Sequence, residues 1–153
     1  MSPDQIFLVC NYGVIPAWLL LVLAPGWSWT QRVVHAVWIP VLLGAVYGWA
    51  FVSNPGTPPG GSFGTLEGVM VLFTAPWVAL AGWVHYLAFD LFVGAWQVRD
   101  GRRRGLHHGW LIPCLILTLM AGPLGLLLYL LLRFALTRET SLLEGAEGSP
   151  KPV

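Results

Sequence analysis

Gly82-Trp-Val-His-Tyr-Leu-Ala-Phe-Asp-Leu-Phe-Val-Gly94 is the stretch that decides the reading of this chain. It sets His85 and Asp90 near the middle of an apolar segment, Thr74 to Val98, that is long enough to cross a bilayer. A carboxylate at bilayer depth costs roughly 2.5–3.5 kcal/mol on insertion scales. Such a group has to face protein, water or a ligand.

Working outward, the whole chain has the composition of a membrane protein. Of 153 residues 56% are hydrophobic and 10% are charged, and the mean hydropathy is +0.70. Soluble domains carry about 25% charged residues, so this chain lacks the polar surface to cover a globule in water. Net charge is +1, and no basic run interleaves with aromatic residues, which excludes nucleic acid as an expected partner. Membrane lipid is the expected surrounding.

Three further segments reach the roughly 20 residues that a 30 Å hydrocarbon core demands: Gln5 to Ala24, Val33 to Val52 and Gly109 to Leu132. The expected fold is therefore all-α, a four-span transmembrane helical bundle. Residues 1–137 form the membrane domain, and 138–153 form a polar, disordered tail. Pro25-Gly26 ends the first span, the loop Ser53 to Ser62 is rich in Pro and Gly, and Arg99 to Gly105 joins the last two spans. The apolar stretch Phe63 to Phe73 is too short to span and contains Glu67. It reads as a short interfacial helix before the third span, capped by Thr65, with Pro76 breaking or kinking the chain after it.

The first span lacks the basic start of a cleavable signal peptide, and no transit peptide precedes it. Orientation follows from Lys and Arg. With four crossings, Arg32, Arg99, Arg102, Arg103 and Arg104 share one side, expected to be cytoplasmic. Both termini then lie on the other side, although Arg133, Arg138 and Lys151 weigh against that. The expected location is the bacterial inner membrane. Cys10 and Cys114 approach opposite leaflets and are not expected to pair.

Within the third span, 100° per residue puts Trp83, Tyr86, Leu87, Val93, Gly94 and Gln97 on the Asp90 face. His85 lies about 140° round from Asp90, so direct pairing of the two is geometrically poor. An ionised Asp90 needs a cationic or multi-donor partner, whereas a protonated one is an acid. The bland alternative is helix–helix glue, with Tyr86 and Asp90 bonded to Asn11 or to a freed carbonyl on another span. Intramembrane ionisable residues otherwise mark functional sites. Asn11 and Trp18 share a face of the first span, and Gly94 permits close approach of a ligand or a backbone. Gly122-Pro123, near the centre of the fourth span, is expected to kink it and free a carbonyl that protein, water or ligand must satisfy. The expected substrate-binding set is Asn11, Trp18, Trp83, Tyr86, Gly94, Gln97 and Pro123, around Asp90 and His85. No His, Cys and carboxylate spacing matches a metal site, and phosphate-binding and nucleophile-elbow motifs are missing; no metal or other cofactor is expected.

These motifs together resemble the ABA4-like family of abscisic-acid-deficiency, neoxanthin-synthase-like membrane proteins. The resemblance rests on Asn11 to Trp18 ending Pro-Ala-Trp, the Pro25-Gly-Trp turn, the Gly82–Gly94 block and Gly122-Pro-Leu-Gly-Leu-Leu-Leu-Tyr129. It implies four spans and, from the plant members, a carotenoid isomerisation that converts violaxanthin to neoxanthin. Opening a 5,6-epoxide to an allenic alcohol is redox-neutral and requires an acid and a base; on the residues themselves, a protonated Asp90 suits the first role and neutral His85 the second. The expected substrate is a carotenoid or related isoprenoid. Two other readings stay open at this point: a non-catalytic membrane protein that binds an isoprenoid or assists a partner membrane enzyme, alone or as a homo-oligomer, and a small proton-coupled carrier using Asp90.

Overall fold

The computed structural model describes residues 1–53 and 56–142, and among these every regular element is helical. In chain order they are α1 (Pro3–Gly13), α2 (Ile15–Leu23), α3 (Ser28–Val33), α4 (Trp38–Ser53), α5 (Leu66–Leu72), α6 (Pro76–Arg103) and α7 (His108–Thr137). Four stretches are long and apolar enough to cross a membrane: Pro3–Leu23, Ser28–Ser53, Pro76–Arg103 and His108–Thr137. The four segments read from the sequence, with the short helix before the third, are all present.

Local chemistry explains where these helices begin and break. Ser2 and Gln5 form a reciprocal capping box at the start of α1, ahead of Pro3 in its first turn. Pro16 stands in the first turn of α2, where its missing N–H leaves the α1–α2 joint at Val14. The second span also has a joint, between Val33 and Trp38. Thr65 caps α5, its side chain accepting the Gly68 N–H at 3.1 Å. Pro76 opens α6 and does not kink a longer helix, so 64–97 is not continuous.

α6 is the central mast. The α1–α2 span runs alongside and parallel to it: Asn11 meets Trp83, Trp18 packs on Gly94 and Pro25 O accepts from Arg102. α4 runs antiparallel, from His35 beside Arg99 to Trp49 against Trp77, ring centroids 5.1 Å apart. One end of the bundle is thus marked by Arg99–Arg104 and the other by Pro3, Ser53 and Pro76. Cys10 and Cys114 are both free thiols, as expected.

α7 departs from a straight span. Ala121 leaves the helical region, at φ −156° and ψ 65°. Leu111 packs against Gly101, while Arg133 pairs with the neighbouring residue Asp100 at 3.4 Å. In a straight helix Leu111 and Arg133 would be about 33 Å apart. They meet α6 at one level because the chain doubles back at Ala121. The first limb (108–120) descends from the arginine end to bilayer depth, and the second (122–137) returns to that end. Where the limbs cross, Gly125 sits against the backbone of Thr118 with no room for a side chain. The expected kink at Gly122-Pro123 is real in position but far sharper than anticipated.

The fold-back corrects one expectation directly. Arg104 forms an ion pair with Glu139 and donates to Ser141 O at 3.3 Å. The chain therefore leaves α7 at the arginine end, not opposite it. Residues 143–153, where most of the disordered tail was expected, lie outside the described residues.

Candidate functional site

A chain that turns at bilayer depth frees backbone groups on both sides of the turn, and lipid cannot satisfy them. α6 supplies both partners from one face. The Tyr86 hydroxyl donates to Leu119 O at 2.8 Å, at the end of the first limb. One helical turn on, the Asp90 carboxylate accepts the Gly122 N–H at the start of the second limb. An acidic group at a helix N-terminus also meets the positive end of the helix dipole. Asp90 is 8% exposed, and its Oδ2 has no hydrogen-bond partner. The contact is close enough that a Cβ on Gly122 would fall within the carboxyl group. Asp90 thus contacts a partner helix as the bland reading had it, with one oxygen still unsatisfied.

Other expected site residues extend this face in both directions. Towards the arginine end, Trp18 is buried and its ring fills the space over Gly94, where a Cβ would lie 2.7 Å from the indole. Gln97 is fully buried and donates to Thr118 Oγ1 at 3.0 Å; that hydroxyl donates in turn to Cys114 O at 2.8 Å. These contacts weld the first limb to α6 and leave no space for a ligand. Gly94 and Gln97 therefore belong to packing.

Towards the other end the same face is open. Trp83 is 40% exposed, donates its indole N–H to Asn11 Oδ1 at 3.1 Å and lies 5.4 Å from the Tyr86 ring and 5.5 Å from Phe7. The α7-facing stripe of α6 continues through Trp83, Ala79 and Pro76, but α7 has already turned back. A cavity of about 270 Å³ follows that line, bounded also by Pro3, Asp4 and Phe7. Together these make a notch between the first span and α6. Phe7 and Trp83 are its aromatic walls, and Tyr86 packs on Trp83 one helical turn further along α6.

His85 and Asp90 are not brought together. His85 is exposed on the far side of α6, its ring 4.4 Å from Phe89 and 5.9 Å from Tyr47 of α4. Pro123 is exposed on the outer side of the turn. Among the described residues no group of three or more His, Cys, Asp and Glu could hold a metal ion.

A second polar centre went unnoticed in the sequence. Asp100, buried on α6, accepts from the Tyr129 hydroxyl at 2.7 Å and from Arg104 Nε at 3.1 Å, with Arg133 Nη1 at 3.4 Å and Arg103 Nη2 at 3.4 Å. Arg133 is 1% exposed and also donates to Ser141 O. Trp96 stacks edge-on against Tyr129 at 5.4 Å. The spacing of Asp100 to Arg104, and of Tyr129 to Arg133, one helical turn each, was the available signal. The expectation that the last span crosses hid it by assigning Arg133 to the opposite side.

The ABA4-like model, described as ABA DEFICIENT 4-like, matches residues 5–129. The chain belongs to the ABA4-like family. That match takes in the first span, the α6 mast, the whole turn in α7 and Tyr129 of the Asp100 cluster. No curated protein and no solved structure matches this ABA4-like chain.

Proposed function

We propose that this ABA4-like protein carries out a redox-neutral modification of a carotenoid or related isoprenoid inside the bilayer, with the notch beside Trp83 as the substrate site. The observation that carries the reading is a notch walled by Phe7 and Trp83, with Tyr86 one helical turn and Asp90 two turns further along the same face of α6. A polyene or prenyl chain suits walls that include Phe7, Leu80 and Trp83. Asn11 and Tyr86 are polar groups placed to orient an oxygen on its ring.

For a ring epoxide, the chemistry is the transfer of one proton to oxygen and the loss of one from carbon. The acid form of Asp90 delivers a proton to the epoxide oxygen, through or beside the Tyr86 hydroxyl. The C–O bond breaks, and a base takes the proton on the neighbouring chain carbon to form the allene. Atoms and electrons balance without an added oxidant or reductant. His85 faces α4, outside the notch, so this reading gives it no part in that step; the returned carboxylate of Asp90 is the nearer base.

One observation favours a second reading, in which the protein binds the isoprenoid without changing it. Tyr86 and Asp90 already hold the turn in α7. Expression in a strain that makes defined carotenoids, including a 5,6-epoxide, separates the two. Conversion that is lost in Asp90→Asn and kept in His85→Ala supports catalysis in the notch. Pigment that co-purifies unchanged, and is lost on Trp83→Ala, identifies a binding protein. Conversion retained by Asp90→Asn at normal expression overturns the catalytic role.

A further inference from the structure

The chain beyond α7 turns back onto the bundle. α7 ends in a left-handed residue, Arg138 at φ 61°, a backbone state that turns a chain sharply at a helix C-terminus. Thr137 fixes the exit: its hydroxyl donates to Arg133 O at 2.9 Å and accepts the Glu139 N–H at 3.2 Å. Residues 139–141 are thereby laid as a strap across the end of α6. There the Glu139 carboxylate pairs with Arg104. The Ser141 carbonyl accepts from Arg104 Nη2 at 3.3 Å and from Arg133 Nη2.

What the strap covers is a place for anionic oxygen. Arg133 is 1% exposed. Its Nε and Nη1 have no hydrogen-bond partner, although Nη1 lies 3.4 Å from Asp100 Oδ2. Buried donors are seldom left unsatisfied. Arg104 and Arg133 bring two positive charges to one buried carboxylate, Asp100, and Glu139 supplies a second negative charge. The strap's own hold is slight: the Glu139 side chain is 58% exposed, and ion pairs with so exposed a partner contribute little. One carboxylate and one backbone carbonyl thus sit on two guanidinium groups, the donor set that phosphate oxygens favour.

We infer that Arg104 and Arg133 form a binding site for one anionic phosphate group, and that the strap 139–141 occupies it until such a group displaces it. A phosphodiester brings the same single negative charge as Glu139, and release of the strap restores the freedom that ordering those residues costs. Arg104 closes α6 at the arginine end, where lipid headgroups lie, so a phospholipid headgroup and free phosphate both reach it. Charge selects between lipids: phosphatidylglycerol is a net anion, whereas the choline of phosphatidylcholine would return a cation to the cluster. The site is at the other end of α6 from the notch and does not rest on the reading proposed for it.

The test reads the strap and its competitor separately, on the full chain. A nitroxide on Leu142→Cys, an exposed position beside the strap, reports mobility; Cys10 and Cys114 are buried. The label should be immobile in phosphatidylcholine vesicles and mobile when phosphatidylglycerol is added at constant ionic strength. Mobility gained with inorganic phosphate in phosphatidylcholine, and not with phosphatidylglycerol, names free phosphate as the source. Native mass spectrometry in detergent then counts the anion that frees the strap: one per chain is expected, and no phosphatidylcholine. Glu139→Gln loosens the strap and should tighten retention about threefold, the worth of a weak exposed ion pair. Arg104→Gln should weaken retention about tenfold. If Arg104→Gln fails to fold, Glu139→Gln decides, since its side chain is exposed. A label already mobile in phosphatidylcholine alone, a label that neither anion frees, no retained anion, or a Glu139→Gln protein that retains it no more tightly than its parent overturns the inference.

Discussion

Gly122 and Asp90 occupy each other's space: the backbone of one lies where only the absence of a side chain lets the carboxyl of the other approach. This contact holds the turn of α7 at the depth of the middle of α6. It predicts that Gly122→Ala disrupts the fold, because the methyl group and the carboxyl cannot coexist. Circular dichroism and elution on size exclusion should show loss of the compact, monodisperse protein. A Gly122→Ala protein as heat-stable as its parent would show that the turn has another seat.

Asp90 substitutions separate the structural contact from the chemistry. Asp90→Asn keeps an acceptor for the Gly122 N–H and should cost about 1 kcal/mol or less in stability, whereas Asp90→Ala leaves that donor unsatisfied and should cost about 1–3 kcal/mol. Thermal unfolding in a fixed detergent gives the order. The proposed catalysis adds that both variants lose conversion although only one is strongly destabilised.

Topology is the sharpest discriminator of the fold. With α7 doubled back, reporters fused after Gly105 and after Ser141 should lie on the same side of the membrane, and a reporter before Ser2 on the other. Opposite readings at Gly105 and Ser141 would mean that the last helix crosses. The same experiment on Pro123→Ala should still report one side. That residue lies outside the turn, and Tyr129 and Arg133 fasten the second limb to Asp100.

The buried ion cluster should be stability-critical. Arg133→Ala leaves Asp100 with fewer partners in a closed site and should destabilise by about 3–5 kcal/mol, as breaking buried pairs does. Asp100→Asn combined with Arg133→Met should cost less than the two single changes added together, because neither charge is then stranded. Strict additivity in a double-mutant cycle would show that the two residues act independently.

Much of the helical plan was legible from composition, and some of its details too. Thr65 capped the short helix it was expected to cap, and Pro76 marked a boundary. Gly122-Pro123 identified where the last helix departs from regularity. What the sequence did not convey was the size of that departure. A 30-residue apolar helix has the length of one long crossing or of two half-crossings, and hydropathy does not distinguish them. The information lay in Arg133 and Tyr129, polar groups too deep along the helix for a simple exit into water, and in Gly125, whose need for close approach has no meaning in a straight helix. The Asp90 face was readable from helical periodicity alone. That Gly94 and Gln97 pack, and that Trp83 lines an opening, was not, because it depends on where α7 stops.

The doubled helix also gives the molecule two different widths. In the leaflet on the arginine side five helical segments stand side by side: the first and second spans, α6 and the two limbs of α7. In the other leaflet only three continue, joined by the short α5. Each helix is about 10 Å across, so the protein displaces far more lipid from one leaflet than from its opposite. It is a wedge. A flat bilayer has to fill the narrow half with additional acyl chains. Added lipid and membrane curvature are then two answers to one packing problem.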